Sequence, residues 1–268
     1  MKLRYTSLQA DVGCAEEHAP ELAGTASIGG MPVVAAGLHS QVAAVAAAFK
    51  HAAPAARLAY VMTDGAALPL ALSDLVAALR GAGLVDVTVT CGHAFGGDLE
   101  AVSVPAALAV ARYVGRADAA VVAMGPGIVG TGTRLGHTGL EVGGVLDAAA
   151  ALGGMAIAAL RASDADPRER HRGVSHHTRT ALTLATRSRV AVALPAVGGP
   201  TEARLRADLD ASGIAARHDV VPVPPVGVVR LLERHGLHVT SMGRPAADDP
   251  VLFEAAAAAG ILAAQHLG

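Results

Sequence analysis

From residue 31 onward, short apolar runs alternate with amphipathic segments, and this alternation limits the folds that the chain can adopt. The runs that we predict as strands are residues 32–38, 57–63, 86–91, 119–124, 155–161 and 189–194, with weaker ones at 218–221 and 237–240. The segments that we predict as helices are residues 40–51, 70–82, 103–114, 141–152, 175–187, 201–212, 226–235 and 250–266. Continuous apolar strands between helices are typical of a mostly parallel sheet that is buried on both faces. We therefore predict a doubly wound, Rossmann-like three-layer α/β sandwich.

The first part of the chain lacks this period. Residues 1–30 are polar and are predicted to be an irregular N-terminal segment, whereas residues 31–268 are predicted to form a single α/β domain. Apart from the glycine-rich loop described below, the longest gap between predicted elements is residues 162–174. Such a gap is interpreted either as a boundary between two lobes or as a functional loop.

Composition excludes several classes of partner. Aromatic residues make up 2% of the chain and Trp is absent, so the chain has almost no side chains on which nucleic-acid bases could stack. The apolar runs are too short to span a bilayer, and the N-terminus lacks the apolar core of a signal peptide. We expect a cytoplasmic protein. Only 16% of the residues are charged, against about 25% in an average chain. A surface so poor in charge predicts a homodimer or a higher homo-oligomer.

A loop with six glycines follows the predicted strand 119–124. Glycine reaches positive φ freely, and successive N–H groups in such a loop form a concave nest for an anion. We therefore predict an anion-binding loop, in which the following residues bind a ligand: Gly125, Gly127, Gly130, Thr131, Gly132 and Thr133. The spacing of its first three glycines fits a dinucleotide fingerprint, but the helix begins about ten residues too late. A Walker loop is excluded, because no Gly-Lys-Ser/Thr follows.

Residues 161–180 form a second segment that is rich in polar and titratable side chains. In it, four arginines precede two adjacent histidines. Ser175 is predicted to cap a helix that has His176 and His177 in its first turn. A helix N-terminus attracts anions, so Ser175 and His177 join the predicted ligand-binding set. Adjacent helical residues point about 100° apart, and on this ground the two histidines are not expected to chelate one atom. The arginine run is interpreted as a solvated loop or as a lid over an anionic ligand.

Ligands of open parallel sheets bind beyond the carboxyl ends of the strands. Titratable side chains gather after those ends, and the groups predicted to carry acid–base chemistry are His39, Asp64, His93, His137 and His176. Histidines and aspartates on one edge are also ligands for a divalent metal, although no local metal signature is present. Whether a metal is bound, and which one, is left open by the sequence.

Four motifs together carry a resemblance. LRYTSLQ at residues 3–9, MPVVAAGLHSQ at 31–41, the loop at 125–139 and RASDADPRERHRGVSHHT at 161–178 resemble an uncharacterised bacterial family, domain of unknown function 3866. The resemblance covers most of the chain and implies a bacterial cytoplasmic protein of the same fold. It brings no established reaction, so it assigns no catalytic residue. Members of the family are commonly longer at the N-terminus, so we expect a shorter version or a chain without a small leading domain.

Three functions remain open at this point. The first is an enzyme that acts on a small anionic metabolite, phosphorylated or not, at the carboxyl edge of the sheet, with or without a metal. The second is a ligand-binding or sensor protein of the same fold without turnover, because fold does not determine function. The third is a homo-oligomeric scaffold whose alanine-rich helices build an interface.

Overall fold

The computed structural model describes residues 1–267, and position 268, the last of the predicted domain, lies outside them. Twelve strands are present in this range: β1 Pro32–Ala35, β2 Leu58–Thr63, β3 Val87–Thr90, β4 Leu99–Glu100, β5 Ala119–Met124, β6 Met155–Ala159, β7 Ala162–Ser163, β8 Gly173–Val174, β9 Ala191–Pro195, β10 Asp219–Val223, β11 Thr240–Ser241 and β12 Arg244–Pro245.

The α-helices of the same range are α1 Gln41–Ala52, α2 Asp74–Gly81, α3 Val104–Ala109, α4 Glu141–Ala151, α5 His176–Thr180, α6 Gly199–Ala211, α7 Ile214–Arg217, α8 Val228–Arg234 and α9 Pro250–Gln265. Helix α3 continues as a wider π-helical turn through Val110–Val114, and α5 does the same through Ala181–Ala185. Short 3-10 helices occur at Ala15–Glu17, Pro20–Leu22, Leu70–Leu72, Thr138–Leu140 and Glu169–His171.

The predicted doubly wound sheet is confirmed. Eight strands form one sheet in the order β10-β9-β6-β1-β5-β2-β3-β4, and every neighbouring pair is parallel. Alternate strand residues face opposite layers, as the two-residue period requires. Val34 belongs to the apolar core that includes residues of α1, α2, α8 and α9, whereas Val33 belongs to the core that includes residues of α3, α4, α6 and α7. These two apolar cores make the three layers.

The alanine-rich helix α9 is internal. Its residues from Leu252 to Ala263 are all buried, and it packs along α1, whose first nine residues are buried too. Gly260 lies so close to the Val45 carbonyl that a side chain has no room there. Small residues let the two backbones approach closely, and this packing within one chain accounts for the alanine content. The scaffold hypothesis, which placed these helices at a subunit interface, is therefore wrong about them.

Several local predictions are corrected. The run 237–240 is not an edge strand of the main sheet, because β11 pairs with β12 in a separate antiparallel ribbon. Ser40, whose residue type and place at the start of the predicted helix 40–51 predict an N-cap, does not cap α1, since its hydroxyl donates to Ser241 Oγ at 3.0 Å instead. The predicted helix 70–82 is broken at Ser73, whose side chain caps α2 by accepting from the Val76 N–H. Strand β4 was not predicted, because two residues are too few to show a period.

The segment 162–174, predicted as a lobe boundary or a functional loop, is folded and is held in place by hydrogen bonds and ion pairs. Strands β7 and β8 pair antiparallel, and Ser163 Oγ donates to the buried Asp249 at 2.7 Å. Asp166 forms ion pairs with Arg168 and Arg244 at 2.8 and 3.1 Å. The main sheet continues on both sides of the segment, because β6 pairs directly with β9. The domain limits themselves stay a prediction.

Within residues 1–267, no helix combines the length and the apolar character needed to cross a membrane.

Candidate functional site

The strand order creates a crevice between β1 and β5. These strands are neighbours, but the chain leaves β1 into α1 on one face of the sheet and leaves β5 into α4 on the opposite face. Connections that diverge in this way open a cleft at the carboxyl ends of the two strands, where ligands of parallel sheets bind. The glycine-rich loop begins at the end of β5, so the fold places this loop beside the cleft.

The loop closes on itself as a small hairpin. Gly130 and His137 pair as an isolated antiparallel bridge, and the Thr131 N–H donates to the Gly136 carbonyl at 2.8 Å. The Gly136 N–H donates to Thr133 Oγ1 at 3.1 Å, and the two threonine hydroxyls lie 2.9 Å apart. These donors are therefore engaged inside the loop. The predicted nest of free N–H groups does not form at Thr131 or Gly136, because the hairpin uses their hydrogens.

The glycines of the loop have structural roles. A side chain at Gly125 has no room beside the Ala67 carbonyl, so glycine here allows β5 to pass a neighbouring loop. Gly127 and Gly132 adopt φ values of 104° and 83°, a region that other residues rarely enter. Gly130 faces His177, and a Cβ at that position would lie 3.6 Å from His177 Nε2. The glycines thus shape the hairpin and bring it against the tandem histidines.

Ser175 is the N-cap of α5, as predicted. Its Oγ accepts from the His177 N–H at 3.2 Å and lies 2.7 Å from His171 Nδ1. The end of β6 fixes this turn: the Arg161 N–H donates to Thr178 Oγ1 at 3.0 Å, and the Arg161 carbonyl accepts from the Ser175 N–H at 2.8 Å. The start of the tandem-histidine helix is therefore tied to the carboxyl edge of the sheet. The five residues of α5 are too few to give it a full helix dipole.

Three histidines from the two segments meet, and they are called the histidine cluster below: His137, His176 and His177. One ring nitrogen of each lies within 4.8 Å of the other two. The rings of His137 and His177 stack with centroids 3.9 Å apart, and those of His137 and His176 lie 5.5 Å apart. The ring centroids of His176 and His177 lie 4.4 Å apart, and His137 of the hairpin adds a third ring beside them. That the two adjacent histidines alone do not chelate one atom stays a prediction.

The imidazoles of the cluster are neutral at pH 7. Burial, with smaller contributions from neighbouring positive groups, lowers the pKa of His176 to about 4 and that of His177 to about 2. Burial lowers the pKa of His137 as well. The nearby His171, which is buried against Ser175, has its pKa lowered to about 3 by burial and then by Arg161. A neutral imidazole offers a lone pair, so this is a set of bases and potential metal ligands.

Two members of the cluster have unsatisfied nitrogens. They are both ring nitrogens of His137 and the Nε2 atom of His176. All three atoms are buried, and none has a hydrogen-bond partner among the described residues. Buried polar atoms are almost always paired in folded proteins. Unpaired atoms on converging side chains therefore indicate a site for a ligand.

Arg161 adds a buried cation beside the cluster. The side chain is 5% exposed, and its Nη1 atom lies 2.9 Å from His177 Nδ1. The ion pairs of this region join Asp166 to Arg168 and Arg244, and none in the described part of the chain includes Arg161. Burial lowers the pKa of this guanidinium to about 10, so it remains charged at pH 7.

An open depression of about 380 Å³ adjoins the cluster, with His176 in its wall. Its lining includes Arg134 from the hairpin, Arg170 and Arg179, and we call it the arginine depression. Arg179 is paired with Asp208 at 2.9 Å. The depression therefore presents positive charge to solvent directly beside the histidine cluster.

The other predicted groups lie elsewhere on the edge. His39 lines a separate pocket of about 480 Å³ and is held by Ser73 Oγ at 2.6 Å and by Tyr60 Oη at 3.0 Å. Asp64 accepts from the His93 N–H at 3.1 Å, and His93 Nδ1 accepts from the Leu3 N–H at 3.1 Å. The structure thus brings together His137 and His176, with His177, and joins Asp64 to His93 at a second place. His39 lies in a third place, in the pocket that Gly127 of the glycine-rich loop also lines.

Arg161 and His171 were not predicted to carry catalysis or to bind the anion. Arg161 lies two residues after the end of β6, so its position beyond a strand end was a usable signal. The sequence places His171 only among the histidines and aspartates of the edge that are potential metal ligands, and the folded 3-10 turn at Glu169–His171 brings it to the Ser175 hydroxyl.

The fold and this site define a parallel α/β protein with a histidine and arginine centre at the carboxyl edge of its sheet. A family model described as "Protein of unknown function (DUF3866)" matches residues 1–260, and the chain belongs to that family. No curated protein matches the chain. No solved structure matches it either.

Proposed function

We propose that this protein is an enzyme that acts on a small anionic metabolite at the carboxyl edge of its sheet. The observation that carries the proposal is the buried guanidinium of Arg161, which has no ion-pair partner among the described residues and adjoins three neutral imidazoles. A buried charge without an ion-pair partner is costly. Asp166 raises the pKa of Arg161, but its carboxylate forms its ion pairs with Arg168 and Arg244. An anion in contact with Arg161 would remove that cost.

The arginine depression supports the same ligand class. Arg134 and Arg170 line this open depression, which shares His176 with the cluster, and guanidinium groups bind phosphate and carboxylate oxygens through paired N–H donors. Because the hairpin uses several of its own N–H groups, side chains rather than backbone would recognise the anion. A phosphorylated or carboxylated metabolite fits this set of donors.

The histidines supply the chemistry in this proposal. An anion beside a neutral imidazole raises the imidazole pKa toward neutrality, where a group transfers protons most efficiently. His137 and His176 have free ring nitrogens, so each can take a proton without breaking a hydrogen bond. Two candidate bases at one site favour an enzyme over a binding protein. A bacterial cytoplasmic location and a homo-oligomeric state stay predictions.

The proposal is tested by calorimetry with inorganic phosphate. We expect Arg161→Gln to weaken phosphate binding by about tenfold or more, because charged hydrogen bonds contribute roughly 1.5–3 kcal/mol. Arg189→Gln, at an exposed surface pair with Asp219, is the matched control and should leave binding unchanged. A panel of phosphorylated and carboxylated metabolites is then assayed for turnover. His176→Gln should abolish turnover and preserve binding.

The possible results separate the functions. Turnover that depends on His176 supports the enzyme. Binding that depends on Arg161, without turnover of any compound in the panel, favours the sensor of the same fold. Phosphate affinity that Arg161→Gln leaves unchanged contradicts both.

A further inference from the structure

We propose that His137, His176 and His177 bind one divalent transition-metal ion of the zinc class. The inference deepens the proposed function and rests on it for its role, because the ion would lie where the anionic substrate is expected. Ligand nitrogens in a four-coordinate zinc site stand about 3.3 Å apart, since each metal–nitrogen distance is roughly 2.0–2.1 Å. The nitrogens of the cluster lie within 4.8 Å of one another, so small rotations of the rings close the site.

His137 is free to make that rotation. Its ring stacks on His177 with planes only 9° apart, and parallel rings do not direct their lone pairs at a common point. One ring must therefore turn. Both nitrogens of His137 lack a hydrogen-bond partner among the described residues, so turning this ring breaks no hydrogen bond. The same holds for Nε2 of His176. Unpaired buried nitrogens are what a site without its ion would contain.

The contact of His177 with Arg161 determines its ligand atom. A guanidinium only donates, so Nδ1 of His177 accepts and the proton of the neutral ring is on Nε2. A metal at Nδ1 would replace the Arg161 N–H and move no proton. The released guanidinium would then stand next to the fourth coordination position. This exchange links the ion to the anion, because a metal on His177 frees one more Arg161 N–H for a substrate.

The ligand set selects the kind of ion. Imidazole nitrogen suits zinc, copper, iron and nickel, whereas magnesium and calcium prefer oxygen ligands. None of the three residues is a carboxylate, and Arg161 is positive, so the bound ion leaves an excess of positive charge. An anion at the fourth position balances it. We therefore expect metal affinity to rise in the presence of an anion such as sulfate.

The test uses Co²⁺ as a spectroscopic probe on the full chain, freed of metal with a chelator. Co²⁺ is titrated with and without sulfate while the visible absorption of four-coordinate cobalt is followed. We expect one ion per chain and a lower dissociation constant with sulfate. His137→Ala should weaken binding by about 100-fold or more and remove the visible band. His51→Ala is the matched control, because His51 is exposed at the end of α1.

The outcomes separate this inference from the proposed function. Circular dichroism checks that His137→Ala folds, and His137→Gln is the second variant if it does not. The metal site is contradicted if the wild-type chain gives no visible band with sulfate present, or if His137→Ala and His51→Ala bind Co²⁺ equally. Phosphate binding that still depends on Arg161 would then leave the proposed function standing. A His137-dependent cobalt site without any anion binding would uphold the metal site and contradict the proposed function.

Discussion

At the scale of single residues, burial keeps the histidines at the centre of the site neutral, and this has a consequence for stability. The pKa of His171 is lowered to about 3 and that of His177 to about 2, whereas an imidazole titrates near 6.5 in an unfolded chain. Below that pH the unfolded chain binds protons that the folded chain does not. The free energy of unfolding therefore falls as the pH drops, by about 2 kcal/mol per imidazole at about pH 5.

Urea unfolding at a series of pH values, in the presence of a chelator, measures this slope. His177→Gln removes one neutral imidazole. We therefore expect the fall in the free energy of unfolding between about pH 7 and pH 5 to become smaller by about 2 kcal/mol, the contribution of one imidazole. His51→Gln is the control, because this residue is exposed. If His177→Gln shifts the whole curve without changing its slope, the neutral state of His177 is contradicted.

Part of the site was predictable at this scale. His137, His176 and Ser175 stand out in the sequence because they are polar and lie next to predicted strand ends or a helix start. Their convergence was not predictable, because it depends on ring orientations and on a hairpin with irregular hydrogen bonds. The role of Arg161 was only partly predictable, because its place at a strand end is visible in the sequence but the burial of its guanidinium is not.

At the scale of elements, the packing of α4 against the end of the tandem-histidine helix positions the site. A Cβ built on Gly143 of α4 would lie 2.5 Å from the carbonyl carbon of Ala185, at the end of the π-helical turn that follows α5. The neighbouring Gly144 has nothing within 4 Å of the same position. The two glycines of one helix thus differ only in what they face.

This difference predicts opposite effects of one substitution. Gly143→Ala should destabilise the protein by about 1–3 kcal/mol through overpacking. Gly144→Ala should stabilise it by about 0.5–1 kcal/mol, because alanine favours the helical backbone. Urea unfolding at about pH 7.5 gives both values. Equal effects of the two substitutions would contradict the described contact between α4 and the end of α5.

The elements were predicted well where the period was long. Strand β5 has the predicted limits, and α4 ends one residue before its predicted end. The prediction at residues 237–240 failed because tertiary contacts, which pair β11 with β12, outweigh the local apolar pattern. Strand β4 was missed because two residues are too few to show a pattern. The hairpin of the glycine-rich loop depends on threonine hydroxyls whose pairing the sequence does not show.

At the scale of the whole molecule, the low charge content predicts an oligomer. The chain has a mass of 26.6 kDa, and its alanine-rich helix α9 is already covered by α1. Any subunit interface must therefore lie on other surfaces. Analytical ultracentrifugation should give at least twice the mass of the single chain. A sedimenting species of one-chain mass across the micromolar range would contradict the predicted oligomer.

The order of the eight parallel strands was not derivable from the alternating pattern, because many orders satisfy the same right-handed crossovers. The carboxyl edge was nevertheless identified correctly as the place where unusual residues collect. All parallel strands end on one edge, whatever their order, so the prediction did not need the topology.

The central claim is that the hairpin of residues 130–137 and the tandem histidines form one centre for an anion beside Arg161. A crystal structure with tungstate, located by its anomalous scattering, tests this most directly. We predict a peak in contact with the guanidinium of Arg161 and with the ring of His137 or His176, and its loss in Arg161→Gln crystals. A tungstate peak elsewhere on the molecule, with the Arg161 site empty, would contradict the account.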